Sequence, residues 1–224
     1  MTTNNTLRGR TVGEIAATLP GATAVFRKFK LDFCCAGDVM LDEAVQKRGL
    51  DLAAIETALA ALDPSKSAPA PEATGALIDH IVSRYHETHR RELPELVRLA
   101  RKVEAVHAGH PEVPRGIADT LGEIEAELGE HMEREEAGIF PSMRQQTDAG
   151  DQFPVAQLRE DHDRHGELLR RLEALTKGFV LPDGACRSWE ALYAGSAKFV
   201  DDVMEHIHLE NNVLFPRFEH REAA

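Results

Sequence analysis

Two segments of this chain carry a histidine and a glutamate at helical spacing. HMEREEAGIFP begins at His131 and HIHLENNVLFP begins at His206, so both follow the pattern H-x3-E-x3-[IL]-F-P. Glu135 and Glu210 lie four residues after these histidines, which places each pair on one face of a helix, one turn apart. Such a pair can bind a metal ion. The Phe-Pro at the end of each segment is expected to place an aromatic ring in the core and stop the helix.

Two further histidines lie at matching heights on neighbouring predicted helices. Antiparallel helices meet where their distances from the connecting turn agree, and each residue adds about 1.5 Å. On this count one layer of a helical bundle can hold six side chains: His86, His131, Glu135, His162, His206 and Glu210. His107 follows His86 by 21 residues, about 31 Å along a straight helix. Whether His107 joins the site stays open, because it can do so only if the first helix unwinds or folds back.

Four neutral imidazoles and two carboxylates suit a pair of first-row metal ions, with iron the leading candidate and manganese or zinc behind it. Each glutamate can bridge both ions, and each ion takes two histidines. With an oxo or hydroxo bridge, each iron would keep one position for dioxygen or nitric oxide. The alternative is that these imidazoles are merely buried and hydrogen-bonded. The Glu-x-x-His pairs of ferritin-like bundles are missing from these faces, and the zincin motif is absent.

A vicinal cysteine pair, Cys34 and Cys35, follows the basic segment Phe26-Arg-Lys-Phe-Lys30. Adjacent cysteines do not form an ordinary unstrained disulfide. Nearby cations are expected to favour the thiolates, which would make the pair a nucleophile or a soft metal ligand. The alternative is two small buried residues. Cys186, at the start of the last predicted helix, is expected to be a packing residue.

The elements that must position these residues are all helical. Apolar residues recur at helical spacing over 74–106, 114–143, 154–177 and 185–218, which predicts an up-down-up-down four-helix bundle. Pro94 is expected to bend the first helix without ending it. Before a Pro-rich linker at 63–74, short helices capped by Thr11 and Asp51, with another at 22–29, predict a small helical domain over 1–62. The bundle is expected over 75–224.

Charge and histidine are distributed unevenly between these parts. The chain has 26 basic and 38 acidic residues and a net charge of −12, and all 11 histidines lie from His80 onward. An acidic chain is not expected to bind nucleic acid broadly. No apolar stretch approaches the roughly 20 residues of a membrane span, and no signal peptide is evident, so we expect a cytoplasmic protein without membrane association.

The chain resembles the bacterial repair-of-iron-centres proteins. The similarity lies in the Cys34-Cys35 segment, in Arg84-Tyr-His86, in Val103-Glu-Ala-Val-His107, and in the two H-x3-E segments, and it spans nearly the whole chain. It implies a hemerythrin-like bundle with an N-terminal Cys-Cys domain, His86, His131, His162 and His206 as terminal iron ligands, and Glu135 and Glu210 as bridges. One difference is visible: the family commonly has two glycines after the cysteines, whereas Ala36 precedes Gly37 here.

The resemblance implies repair of iron-sulfur clusters damaged by nitrosative or oxidative stress, by iron donation to damaged or apo iron-sulfur proteins, with Cys34 and Cys35 assisting. Alternatives from other classes are reversible binding or sensing of nitric oxide or dioxygen, and reduction of nitric oxide to nitrous oxide. All three need the same open two-metal site, so the sequence does not separate them. It also leaves open whether the chain is a monomer or a homodimer, and whether it is an enzyme.

Overall fold

The structure, a computed structural model, describes residues 7–63, 65, 70–145 and 154–219. These residues are helical and contain no strand, apart from an isolated antiparallel bridge between Thr11 and Met40. The all-helical prediction is therefore confirmed. By backbone contacts the chain divides into two units: unit 1 comprises Met1–Leu77 and Met204–Ala224, and unit 2 comprises Ile78–Val203.

Long helices form unit 2. Counting from the N-terminus of the chain, they are α5 (Thr74–Ile81), α6 (Glu87–Val106), α7 (Ile117–Arg134), α8 (Phe140–Gln145), α9 (Val155–Leu175) and α10 (Arg187–His208). A π-helical segment, Val82–His86, joins α5 to α6, and a second, Glu135–Ile139, joins α7 to α8. Helix α6 packs on α7 and α7 packs on α9. Helix α6 continues through Pro94, as predicted.

Helix α10 packs against the first helix of the bundle through polar and apolar contacts. Asp202 accepts hydrogen bonds from Arg84 and Lys198, and the rings of Phe199 and His89 meet edge to face at 5.4 Å between centroids. The helical stretches at 74–106, 117–145 and 155–175 agree with the predicted bundle to within a few residues at each end. The fourth, predicted over 185–218, begins at Arg187, and its α-helical part α10 ends at His208. No helix among the described residues is long and apolar enough to cross a membrane.

Short helices form the N-terminal part of unit 1: α1 (Val12–Thr18), α2 (Ala22–Lys28), α3 (Leu41–Lys47) and α4 (Leu52–Ala60). Thr11 caps α1 through a reciprocal capping box with Glu14, and Asp51 caps α4 by accepting from the Ala53 amide, both as predicted. Helix α3 was not predicted. Its N-cap residue, Met40, makes no side-chain cap hydrogen bond, so the sequence lacks the usual start signal.

The C-terminal part of unit 1 continues α10 through the π-helical segment Leu209–Leu214 to α11 (Pro216–Glu219). Helix α1 packs against this π-helical segment. Arg217 donates hydrogen bonds to the Glu72 carbonyl and the Thr74 hydroxyl. Five residues of the predicted linker, at 64 and 66–69, lie outside the described residues, and the predicted domain boundaries stay predictions.

Candidate metal centre

Unit 2 contains four of the six predicted metal ligands, and all four are fully buried. Glu135, at the start of its π-helical segment, has Oε1 3.4 Å from His131 Nε2 and Oε2 3.6 Å from His86 Nε2. His162, on α9, has Nε2 3.0 Å from His131 Nε2. The structure thus brings three imidazoles from three helices to one carboxylate.

The Glu135 carboxylate is buried without a hydrogen-bond donor among the described residues, and this holds for both of its oxygens. A buried carboxylate without compensation is costly, because it loses its hydration and gains nothing in return. A cation between Glu135 and the imidazoles would supply the compensation. The 3.0 Å between the two Nε2 atoms also matches two adjacent ligands, each about 2.1 Å from one ion.

Two carboxylates that were not predicted from the sequence lie next to the Nδ1 atoms of these imidazoles, on the side away from Glu135. Glu136 Oε1 lies 2.7 Å from His86 Nδ1, and Asp161 Oδ2 lies 3.4 Å from His131 Nδ1. If each Nδ1 carries the proton and donates it to its carboxylate, each Nε2 presents a lone pair towards Glu135. Metal-binding histidines are usually oriented in this way.

Arginines keep the outer carboxylates ionised. Burial would raise the pKa of Glu136, but hydrogen bonds from His86 and Arg90 outweigh it and hold this pKa below its ordinary value. Burial acts on Asp161 in the same direction, and hydrogen bonds from Arg134 and His131 lower the pKa of Asp161. Both carboxylates therefore remain good acceptors for imidazole N–H groups at neutral pH.

Unit 1 contains the other two predicted ligands, His206 and Glu210. Both are fully buried, and His206 Nε2 lies 3.0 Å from Glu210 Oε1. Nearby, burial lowers the pKa of His208 to about 4. The His208 ring meets Phe33 edge to face, 5.5 Å between centroids. His208 is therefore a neutral, buried residue that packs on Phe33.

The π-helical segments coincide with the predicted ligands. The Phe140 amide donates to the Glu135 carbonyl, and the Phe215 amide donates to the Glu210 carbonyl at 2.8 Å. Both bonds span five residues, and both phenylalanines are buried as predicted. The prediction that Phe-Pro stops the helix is wrong in the first copy, where α8 runs from Phe140 through Pro141 to Gln145. A π-turn before a proline leaves room for a ring that a regular helix would exclude.

In unit 1 the cysteine loop, residues 31–37, holds the two thiols side by side. The Cys34 and Cys35 sulfur atoms lie 3.7 Å apart, and the Asp32 carboxylate accepts from the Cys35 amide at 3.0 Å. Cys34 is buried and Cys35 is half-buried. The hydrogen bond to Cys35 and burial raise the pKa of Cys34 well above its ordinary value. The expected thiolate is therefore wrong for Cys34. Arg27, one of the expected cations, pairs with Glu205.

His107 lies at the C-terminal end of α6, whereas His86 directly precedes α6. A helix of this length extends about 30 Å. The His107 Nε2 lies 3.0 Å from Cys186 Sγ, and its ring stacks obliquely on Trp189, 5.0 Å between centroids. His107 is thus not brought together with the predicted ligands His86, His131 and His162. Cys186, predicted as a packing residue, also contacts an imidazole.

Residues 77–218, well over half of the chain, match the hemerythrin HHE cation binding domain. The chain belongs to the hemerythrin HHE family. Membership of this family implies that the chain binds iron, and the donor set around Glu135 fits such a cation. Residues 8–63 match a second family, a domain of unknown function (DUF542).

Proteins similar to this HHE-family chain along almost its whole length are named for cluster repair. The iron-sulfur cluster repair protein YtfE of Dickeya chrysanthemi is 45% identical over 213 residues, which cover 94% of this chain and 96% of the relative. A probable iron-sulfur cluster repair protein of Haemophilus influenzae is 42% identical over 211 residues, 92% and 95% of the two chains. The YtfE protein of Edwardsiella ictaluri is 43% identical over 219 residues, 95% and 97%. The resemblance to the repair family predicted from the motifs is confirmed.

Proposed function

We propose that this chain helps to repair iron-sulfur clusters damaged by nitrosative or oxidative stress, and that it does so by donating iron. The observation that carries the proposal is the buried Glu135 carboxylate, which faces imidazole nitrogens at 3.4 and 3.6 Å and has no hydrogen-bond donor among the described residues. The relatives are named iron-sulfur cluster repair proteins, and this supports cluster repair as the process in which the centre acts.

We further propose that the centre holds two irons bridged by Glu135 and Glu210. The terminal ligands are His86, His131, His162 and His206. Two arguments support this set: the H-x3-E segments repeat in sequence, and each of the six side chains is fully buried in its own unit. An oxo or hydroxo bridge would complete the pair. Bound iron supplies an open coordination position for a small molecule such as nitric oxide or dioxygen.

The residues of the chain hold and release this iron. Glu136 and Asp161 accept hydrogen bonds from the Nδ1–H groups of His86 and His131, which leaves both Nε2 atoms without a proton. Histidine and carboxylate ligands bind a metal ion only when deprotonated, so protonation of these ligands can release it. A centre of this composition therefore suits iron that must leave for a damaged cluster, with Cys34 and Cys35 as soft acceptors beside the C-terminal ligand segment of unit 1.

A reconstitution experiment tests the proposal. Iron-loaded chain is mixed with a dehydratase whose four-iron cluster has lost iron, and the recovery of dehydratase activity is followed together with the iron content of both proteins. We expect activity to return while iron leaves the chain. Glu135→Ala should abolish both iron binding and recovery, whereas Glu133→Ala, an exposed position on α7, should change neither.

The same preparation distinguishes the alternative functions. If iron remains on the chain while the dehydratase stays inactive, donation is refuted. A stable nitric oxide adduct that is fully reversible would then favour sensing, and nitrous oxide formed under turnover would favour nitric oxide reduction. The proposed partners are damaged or apo iron-sulfur proteins of the cytoplasm.

A further inference from the structure

Two asparagines that directly follow Glu210 hold the cysteine loop. Asn211 Nδ2 donates to the Cys34 carbonyl at 2.9 Å, and Asn212 Nδ2 donates to the Phe33 carbonyl at 2.9 Å. Asn211 and Cys34 are each only 4% exposed. Both hydrogen bonds lie within unit 1 and join residues almost 180 positions apart in sequence.

The side chain of Asn212 fills a space that two glycines leave open. The Gly13 amide donates to the Gly37 carbonyl at 2.8 Å, which joins the start of α1 to the end of the cysteine loop. A Cβ atom added to Gly13 would lie 2.5 Å from Asn212 Oδ1, and one added to Gly37 would lie closer still. Gly37 is therefore the glycine that this contact requires, and Ala36 is compatible with it.

Glu210, Asn211 and Asn212 share one π-helical segment, Leu209–Leu214. The Phe215 amide closes that segment on the Glu210 carbonyl. A shift of the Glu210 backbone therefore moves both asparagine side chains, and with them the carbonyl groups of Phe33 and Cys34. The segment links a proposed metal ligand to the backbone of the thiols.

We propose that Asn211 and Asn212 are positioning residues that couple the reactivity of the cysteine pair to metal binding at Glu210. This inference rests on the proposed function, because that function assigns Glu210 to the metal. Iron bound to Glu210 fixes the π-helical segment, which keeps Cys34 buried and protected. Coupling between two equilibria is reciprocal, so opening of the cysteine loop weakens iron binding by the factor by which bound iron suppresses that opening.

Alkylation kinetics test the coupling in the full chain. The background carries Cys186→Ser, so that iodoacetamide reports on Cys34 and Cys35, which are resolved by peptide mass spectrometry. We expect iron-loaded chain to react roughly tenfold more slowly than metal-free chain, because opening of the cysteine loop breaks the hydrogen bonds from Asn211 and Asn212. Prior alkylation of the pair should weaken iron binding by a similar factor.

Variants assign the effect to the asparagines. Asn211→Asp keeps the size but removes the donor, and Asn211→Ala removes the side chain without adding charge. In both, iron-loaded chain should react within about twofold of metal-free chain, while iron content and far-ultraviolet circular dichroism stay as in the parent. Arg217→Lys is the matched control. It weakens the hydrogen bonds from Arg217, in α11, to Glu72 and Thr74, and it should keep the parent's ratio of rates.

The outcomes separate the coupling from the proposed function. A parent chain that binds iron but reacts equally fast in both forms overturns the coupling and leaves the proposed function standing. A parent chain that binds no iron overturns the proposed function. Asparagine variants that bind iron and keep the parent's ratio overturn the assignment to Asn211. If a variant loses iron, its thiols must react as fast as those of the metal-free parent, and slower reaction overturns the inference.

Discussion

At the scale of single residues, the chemistry depends on which nitrogen of each imidazole carries the proton. For His86 and His131 the outer carboxylates favour a proton on Nδ1, because Glu136 and Asp161 each lie within hydrogen-bond reach of that atom. Neither carboxylate belongs to the repeated H-x3-E pattern. Asp161 lies on α9 and His131 on α7, so no spacing along the sequence predicts their contact.

Removing an outer carboxylate should weaken metal binding without removing a ligand. We expect Glu136→Gln and Asp161→Asn each to lower iron affinity about 10- to 100-fold, the usual effect of losing the partner that orients a metal-binding histidine. Competition with a chelator of known affinity measures this change, and the midpoint potential of the loaded chain should shift as well. Glu133→Gln, exposed on α7, serves as control. Affinities equal to the parent's in both variants would contradict the proposed orientation.

At the scale of elements, the two proposed bridging glutamates, Glu135 and Glu210, each lie at the start of a π-helical segment. The repeated Phe-Pro tail signals a π-turn at both positions, since each phenylalanine amide donates to the carbonyl of the glutamate five residues earlier. From the sequence alone, the same Phe-Pro dipeptide predicts the end of the helix. Proline excludes a regular turn, but it does not decide between ending the helix and widening it.

Deleting Gly138 should convert the segment Glu135–Ile139 into a regular turn, in which the Phe140 amide still donates to the Glu135 carbonyl. Phe140 and Met143, which are 2% and 0% exposed, should therefore keep facing the core. Deleting Gly122, within the regular helix α7, should instead rotate the side chains beyond it by about 100° and take them out of the core. We expect the Gly122 deletion to lower the free energy of unfolding by roughly 3 to 5 kcal/mol and the Gly138 deletion to lower it far less, measured by denaturant titration. Equal losses would contradict the extra residue that the π-turn accommodates.

Asp202, on α10, accepts hydrogen bonds from Arg84, in the π-helical segment before α6, and from Lys198. These bonds depend on the charge of Asp202, so their strength depends on pH. Burial would raise the pKa of Asp202, but hydrogen bonds from Arg84 and Lys198 lower it below its ordinary value. The stabilisation is therefore present above the unfolded pKa of about 3.9 and is lost as the pH falls through the lower folded value.

Asp202→Asn should consequently destabilise the chain at pH 7 and not in acid. Both cations are more than a third exposed, so solvent screening limits the expected difference to about 1 kcal/mol in the free energy of unfolding. The difference between parent and variant should shrink as the pH falls below the unfolded pKa of about 3.9 and disappear once Asp202 is protonated in the folded chain, in unfolding curves measured at several pH values. Asp163→Asn, exposed on α9, should match the parent throughout. A difference that persists in acid would mean that packing, and not charge, is lost.

At the scale of the whole molecule, capping residues and apolar spacing predicted most of the helices. They did not predict contacts between residues that are far apart in sequence. Thr11, Asp51 and the apolar spacing predicted helices that the structure contains. The contact of Asn212 with Gly13 and Gly37 was not predicted, because no local pattern joins residues so far apart. The raised pKa of Cys34 has a local cause, the hydrogen bond with Cys35, and a long-range cause, its burial, which depends on how distant segments pack. The cations nearby in sequence indicated neither.

Glycine substitutions show where long-range packing overrides local preference. Gly13 lies within α1 and Gly122 within α7, so helix propensity alone predicts that alanine stabilises either position by up to about 1 kcal/mol. A Cβ at Gly122 meets nothing within 4 Å, but one at Gly13 would meet Asn212 Oδ1 at 2.5 Å and the Gly37 carbonyl at 2.8 Å. Because overpacking costs about 1 to 3 kcal/mol, Gly122→Ala should raise the free energy of unfolding and Gly13→Ala should lower it. Denaturant titration of both variants checks the signs, and a stabilised Gly13→Ala chain would refute the packing of Asn212 between the two glycines.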